Sequence, residues 1–232
     1  MTANEVQQKL RGLASPQRAE TSQRFFKTGP GQYGEGDQFI GVPVPTLRSL
    51  AKQYKTLPLS EIRPLLNSPI HEHRHIALMI LVLQVAKCSP EHRRTVYDFY
   101  LQNKHAINNW DLVDCSAPYI VGGYLIDRSR TPLTQLAKSA SLWDRRIAIL
   151  ATQHFIRHDD FDDTLTLCER LLDDPEDLIH KATGWMLREA GKRSESVLLG
   201  FLDQHAPTMP RTMLRYAIEK LTPQQRRKYM TA

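Results

Sequence analysis

Long apolar runs are missing from this 232-residue chain. The longest, such as 76–83 and 147–151, fall far short of the roughly 18–20 residues that a membrane span requires. Cysteine is scarce: Cys88, Cys115 and Cys168 are isolated and odd in number. That pattern excludes a disulfide framework or a zinc ribbon and predicts buried free thiols in a reducing compartment. No basic segment followed by an apolar stretch opens the chain, so no secretory leader is expected and a cytoplasmic location is. Alternating apolar and polar runs bounded by hairpin turns are also absent, which argues against β-structure. Apolar residues themselves are plentiful, 41% of the chain and about 46% with glycine counted, which excludes bulk disorder.

Charge is present in both signs and is unevenly spread. The net formal charge is +6. Residues 158–178 hold nine acids and one base, Arg170, a net −8, while residues 128–157 carry a net +5. Such segregation predicts one face suited to a polyanion and another that repels it; ordinary solvated surface is the alternative.

The remaining pattern is helical. Ser15-Pro16, Ser68-Pro69, Ser89-Pro90, Asp174-Pro175 and Thr222-Pro223 each place a capping side chain before a proline, which the first helical position tolerates because its N–H has no partner there. Between these marks, apolar residues recur at helical spacing. Four helical segments share an alanine preceded two places earlier by a basic residue or histidine: Ala77, Ala148, Ala182 and Ala217, at spacings of 71, 34 and 35. The first interval is a double period, and its missing member falls near Trp110–Asp114. A period near 35 residues with two helices each predicts an all-α fold, an α-solenoid of helical repeats in one domain over residues 1–232.

Three motifs invite a chemical reading. Gly29-Pro30-Gly31-Gln32-Tyr33-Gly34 matches G-x-G-x-x-G, but a helical segment precedes it and Pro30 and Gly36 prolong the loop, so a turn-rich loop is expected rather than a dinucleotide site. That loop offers Lys27 and Tyr33 to a ligand backbone. His71-Glu72-His73-Arg74-His75 matches H-E-x-x-H. It has no evident third ligand and carries Arg74 at its centre, so the expectation is a polar first helical turn, with no metal and no cofactor. The third group is Trp110, Asp114, Arg146 and Trp185. Trp110 and Asp114 share a helix face at i and i+4, with Asp111 pointing elsewhere, and the other two follow at successive repeats. Two indoles, a carboxylate and a guanidinium suit a cationic sugar or base beside a phosphate. The alternative is two core aromatics and an interhelical ion pair.

At these residues the chain resembles the AlkD-like DNA alkylation repair family of HEAT-like-repeat DNA glycosylases. The likeness runs through 26–37, 41–45, Asn109–Asp114, Trp143–Ala148 and Lys181–Glu189, in order, with Pro43 a departure where other members can be polar. It implies a right-handed repeat stack with a basic concave groove for duplex DNA. It implies excision of positively charged N3- and N7-alkylpurines, with Asp114 as catalytic carboxylate, Trp110 and Trp185 as active-site indoles and Arg146 as active-site guanidinium. Arg145, Arg146, Lys181, Arg188, Lys27 and Tyr33 are the expected DNA contacts. A monomer whose partner is duplex DNA bearing alkylated purines is expected, without cofactor and without lyase chemistry, since no lysine is placed to form a Schiff base. A non-catalytic nucleic-acid-binding repeat protein and a protein scaffold remain as alternatives.

Overall fold

Proline and hydroxyl caps set several helix starts as the sequence predicts. In the computed structural model, which describes residues 1–231, Pro16 opens α2 (Pro16–Phe25) and Pro90 opens α6 (Pro90–Gln102), where Ser89 accepts from His92 N. Pro223 opens α15 (Pro223–Met230), where Thr222 and Gln225 form a reciprocal capping box. Two expected starts are shifted. Ser68 and Asp174 lie ahead of helices that begin at His71 and Asp177. Each side chain instead accepts from a backbone N–H two residues on, Ile70 and Glu176, a turn that competes with a cap.

The all-α expectation holds: the described residues form helices and no strand, apart from one isolated bridge between Gln38 and Ile70. No described helix is long and apolar enough to cross a membrane. The chain divides into two compact units, the first Met1–Ser116 and the second from Ala117 onward.

In the first unit, α5 (His71–Ala86) is the central element. Helices α3 (Val44–Gln53) and α4 (Leu59–Leu66) pack on it, as do α1 (Ala3–Arg11) and α6. Ile76, Leu78, Ile80 and Leu81 of α5 are wholly buried with Leu47, Ile62, Leu65 and Leu66. The polar first turn of α5 is buried as well, from His71 to His75. After α6, a 3-10 turn at Lys104–Ala106 leads into α7 (Trp110–Ala117).

The second unit shows the alanine repeat directly. It begins with a π-helical turn at Pro118–Gly122 that runs on into α8 (Gly123–Leu125), followed by α9 (Thr131–Leu136). Ala148 lies on α10 (Leu142–Ile156), Ala182 on α12 (Asp177–Arg193) and Ala217 on α14 (Arg211–Ala217), all fully buried. Helix α12 packs on both α10 and α14, with α11 (Asp162–Arg170) and α13 (Glu195–His205) as the second helices of the pairs.

The sequence charge segregation is cancelled in part by this packing. Arg130 pairs with Asp160 and Asp163, Arg145 with Asp174, and Arg193 with Asp159. Residues of the acidic stretch thus partner Arg130 and Arg145 of the basic one and Arg193 of α12.

Candidate functional site

Helix α7 carries Trp110 and Asp114 one turn apart, and its first turn is fixed by a buried polar hub. Gly34–Asp37 follows α2 as a tight loop, and the Asp37 side chain is 3% exposed. Its carboxylate accepts from Arg74 Nη2, from His71 Nδ1 at 3.0 Å and from Asn109 Nδ2 at 3.2 Å. Burial alone would raise the Asp37 carboxyl; His71, Arg74 and Asn109 outweigh it and hold the group below its ordinary value. Asn109 in turn accepts from Trp110 N at 2.8 Å, which satisfies a free donor at the start of α7.

An aromatic column supports the indole. Trp110 stacks on Phe26 with centroids 5.1 Å apart, Phe26 stacks on Phe39 at 5.0 Å, and Phe39 stacks on the His71 ring at 4.4 Å. Phe25 meets Trp110 edge-on and is 63% exposed. Trp110 Nε1–H donates to Tyr33 Oη at 3.3 Å, and Tyr33 Oη–H to the Phe25 carbonyl. Trp110 and Asp114 are both half-buried, so neither is a core residue, and a ligand can reach them.

Histidines 71 and 75 turn toward α7. His71 Nε2 lies 2.8 Å from Asp111 Oδ2, and His75 Nδ1 lies 3.4 Å from the same oxygen. Burial disfavours a charged His71, but Asp111 and Asp37 together raise its pKa. Burial pushes His75 down to about 4, against the pull of Asp111, so it is neutral at pH 7. Asp111, which the helical spacing turns away from Trp110, is the group the H-E-x-x-H reading lacked. Glu72 has a different use: its carboxylate accepts from Ile40, Gly41 and Val42 N–H, at 2.7 Å from Gly41. Gly41 is required there, with φ of 79° and a Cβ position only 2.2 Å from Ser15 O.

The other candidate residues lie in the second unit. Arg146 on α10 is buried, with Nη1 donating to Leu178 O at 2.6 Å. Trp185 on α12 is half-buried, and its Nε1–H meets Glu189 at 3.0 Å. Among the expected DNA contacts, Lys27 is exposed and sits at φ of 52°, where it ends α2. Lys181 pairs with Asp177 one turn earlier. Arg188 is engaged by Glu219 and Glu189. Arg145 is engaged within the second unit. Its Nε and Nη2 hold buried Asp174, and Nη1 donates to Ser139 O and Ala140 O, so its donors are spent within the fold.

A family described as "DNA alkylation repair enzyme" matches residues 6–221. The chain belongs to this DNA alkylation repair family. A solved structure described as a "Predicted DNA alkylation repair enzyme from Enterococcus faecalis" is similar in fold. Its TM-score is 0.70 at 19% identity, over 90% of this chain and 97% of that one. No curated protein matches. Membership places the chain in DNA alkylation repair as an enzyme of that process.

The site residues that sequence reading missed are Asp37, Asn109, Phe25 and Phe26, together with the bond from His71 to Asp111. Each joins positions 30 or more residues apart or lies in a loop without periodicity. The one available signal was the unusual density of chemistry in 26–37 and 71–75.

Proposed function

We propose that this member of the DNA alkylation repair family is a monofunctional DNA glycosylase that hydrolyses the N-glycosidic bond of cationic N3- or N7-alkylpurines in duplex DNA. The observation that carries this is the pairing on α7 of a half-buried carboxylate, Asp114, with an accessible indole one turn away, braced from behind by Phe26 and Tyr33. An alkylpurine already bears positive charge and departs without protonation, so no general acid is needed. What the protein must supply is stabilisation of the electron-poor sugar and placement of a water at C1′. A carboxylate about 4 Å from a unit positive charge contributes roughly 4 kcal/mol at an effective dielectric near 20, about a thousandfold in rate. Asp114 supplies that term and orients the water, while the Trp110 face adds cation–π attraction. Trp185 and Arg146 are assigned to the same reaction by the family likeness; Arg146 must exchange its bond to Leu178 O for a phosphate to act as expected.

Incubation of methylated duplex DNA with the protein, followed by chromatography of the freed bases, tests the proposal. Wild type is expected to release 7-methylguanine or 3-methyladenine and to leave uracil in place, since uracil lacks the leaving-group charge. Asp114→Asn is expected to bind DNA normally and to release bases at least a hundredfold more slowly. Release by Asp114→Asn at the wild-type rate removes the carboxylate from the mechanism.

A further inference from the structure

Both nitrogens of the buried His71 ring face carboxylate oxygens, Asp37 at 3.0 Å and Asp111 at 2.8 Å. A neutral imidazole has one N–H and satisfies one of them. The other contact needs a second positive centre, either a proton or a metal cation. A proton between His71 and Asp111 serves that pair alone. Asp111 Oδ1 is buried with no hydrogen-bond partner among the described residues, so this carboxylate holds binding capacity that such a proton does not use. His75 turns its Nδ1 to the same carboxylate oxygen as His71 does, so three donor groups converge on one point. One ligand atom from each of His71, His75 and Asp111 lies within 4.8 Å of the others, and a cation placed among them meets all three.

We infer that His71, His75 and Asp111 bind a divalent transition-metal cation, with zinc the ion that best suits the donors. Two imidazoles and one carboxylate suit zinc, whereas calcium and magnesium select oxygen donors. Ligand atoms about 2.0–2.1 Å from a tetrahedral zinc stand roughly 3.3 Å apart. The 3.4 Å separation of His75 Nδ1 from Asp111 therefore fits as it stands, and the 2.8 Å one opens by about half an ångström.

The surroundings are those of a metal-binding histidine. Asp37 accepts the Nδ1 proton of His71, which fixes the tautomer that presents Nε2 to the ion. Arg74 does not oppose the cation, because its guanidinium is turned onto Asp37 Oδ1 and Ser68 O. Glu72, the base of an H-E-x-x-H peptidase, is held by backbone N–H groups and faces the loop instead. The site therefore lacks the base of a peptidase, and with three protein ligands the fourth position of a tetrahedral ion would fall to a water. The ion ties the first turn of α7, and with it Trp110, to α5.

Zinc content and binding test this without reference to base release. Protein stripped with a chelator and titrated with Zn²⁺ alone is expected to bind one equivalent with a Kd of micromolar or tighter. Its melting midpoint is expected to rise by roughly 5–10 °C at a hundredfold excess of free ion over Kd. Co²⁺ in its place should give the visible absorption of a four-coordinate nitrogen–oxygen site. His75→Gln and Asp111→Asn should each weaken Zn²⁺ binding at least tenfold. Should either variant fail to fold, histidine ¹⁵N spectra of the wild type decide the matter: added zinc should remove the proton from His71 Nε2. The inference is overturned if wild type takes up no zinc below about 100 µM, if the His75→Gln, Asp111→Asn double variant binds as wild type does, or if His71 keeps both ring protons with zinc present.

Discussion

At the scale of single residues, the molecule reserves its buried charges for holding loops. Glu72 is 3% exposed, and its two oxygens take the N–H groups of three successive residues, Ile40 to Val42. Hydrogen bonds to an ionised acceptor contribute about 1.5–3 kcal/mol each before loss of neighbours is counted. Glu72→Gln keeps the shape but presents an amide N–H₂ to donors. We expect it to lower unfolding stability by about 2–3 kcal/mol, read as a fall in the urea midpoint at unchanged slope. A change under about 0.5 kcal/mol would mean that the loop is held by its backbone turns and not by Glu72.

At the scale of helices, close approach depends on glycine where the sequence pattern points to alanine. Gly184 sits on α12 beside Ala182 and Trp185, and a Cβ there would lie 2.4 Å from Met213 O and 2.6 Å from the Tyr216 Cβ on α14. Backbone cannot yield as a side-chain tip does, so Gly184→Ala must separate α12 from α14. The expected loss is about 1–3 kcal/mol, measured as a lowered melting midpoint. Gly200→Ala is the control: nothing stands within 4 Å of its Cβ on α13, and the substitution is expected to add about 0.5–1 kcal/mol from helix propensity. Equal effects at both sites would remove the packing explanation. The alanine period itself was legible, because burial at one point on each stacked helix writes a fixed residue type into the chain every 34 or 35 positions. The shifted starts of α5 and α12 were not, since Ser68 and Asp174 carry the same residue types whether they cap a helix or close a turn ahead of one. The Asp37 hub was hidden for another reason: the three partners of its carboxylate lie 34, 37 and 72 residues away, and Trp110 joins only through Asn109, with no periodicity to link them.

At the scale of the whole molecule, the count of 31 lysines and arginines overstates the basic side chains available to a polyanion. Arg130, Arg145, Arg188 and Arg193 all spend their charge on carboxylates of the second unit. Linear charge counting finds a −8 segment and a +5 segment and infers opposed faces; folding brings the two together, and much of the apparent asymmetry is internal. This bears directly on DNA binding. Each phosphate contact contributes about −0.9 to the slope of log K against log salt, so the slope counts the cations that truly meet DNA. Arg145→Ala leaves Asp174, 3% exposed, without its guanidinium. The expected cost is about 3 kcal/mol in stability, with the salt slope for duplex DNA unchanged from wild type. Lys27→Ala, which removes an exposed cation beside the Trp110 column, is expected to lower the slope by about one contact and to leave stability within about 0.5 kcal/mol. Fluorescence anisotropy with a labelled duplex between 50 and 300 mM salt, roughly the range over which counterion release is read, separates the two. A slope reduced by Arg145→Ala and not by Lys27→Ala would return the DNA-binding surface to the second unit's arginines.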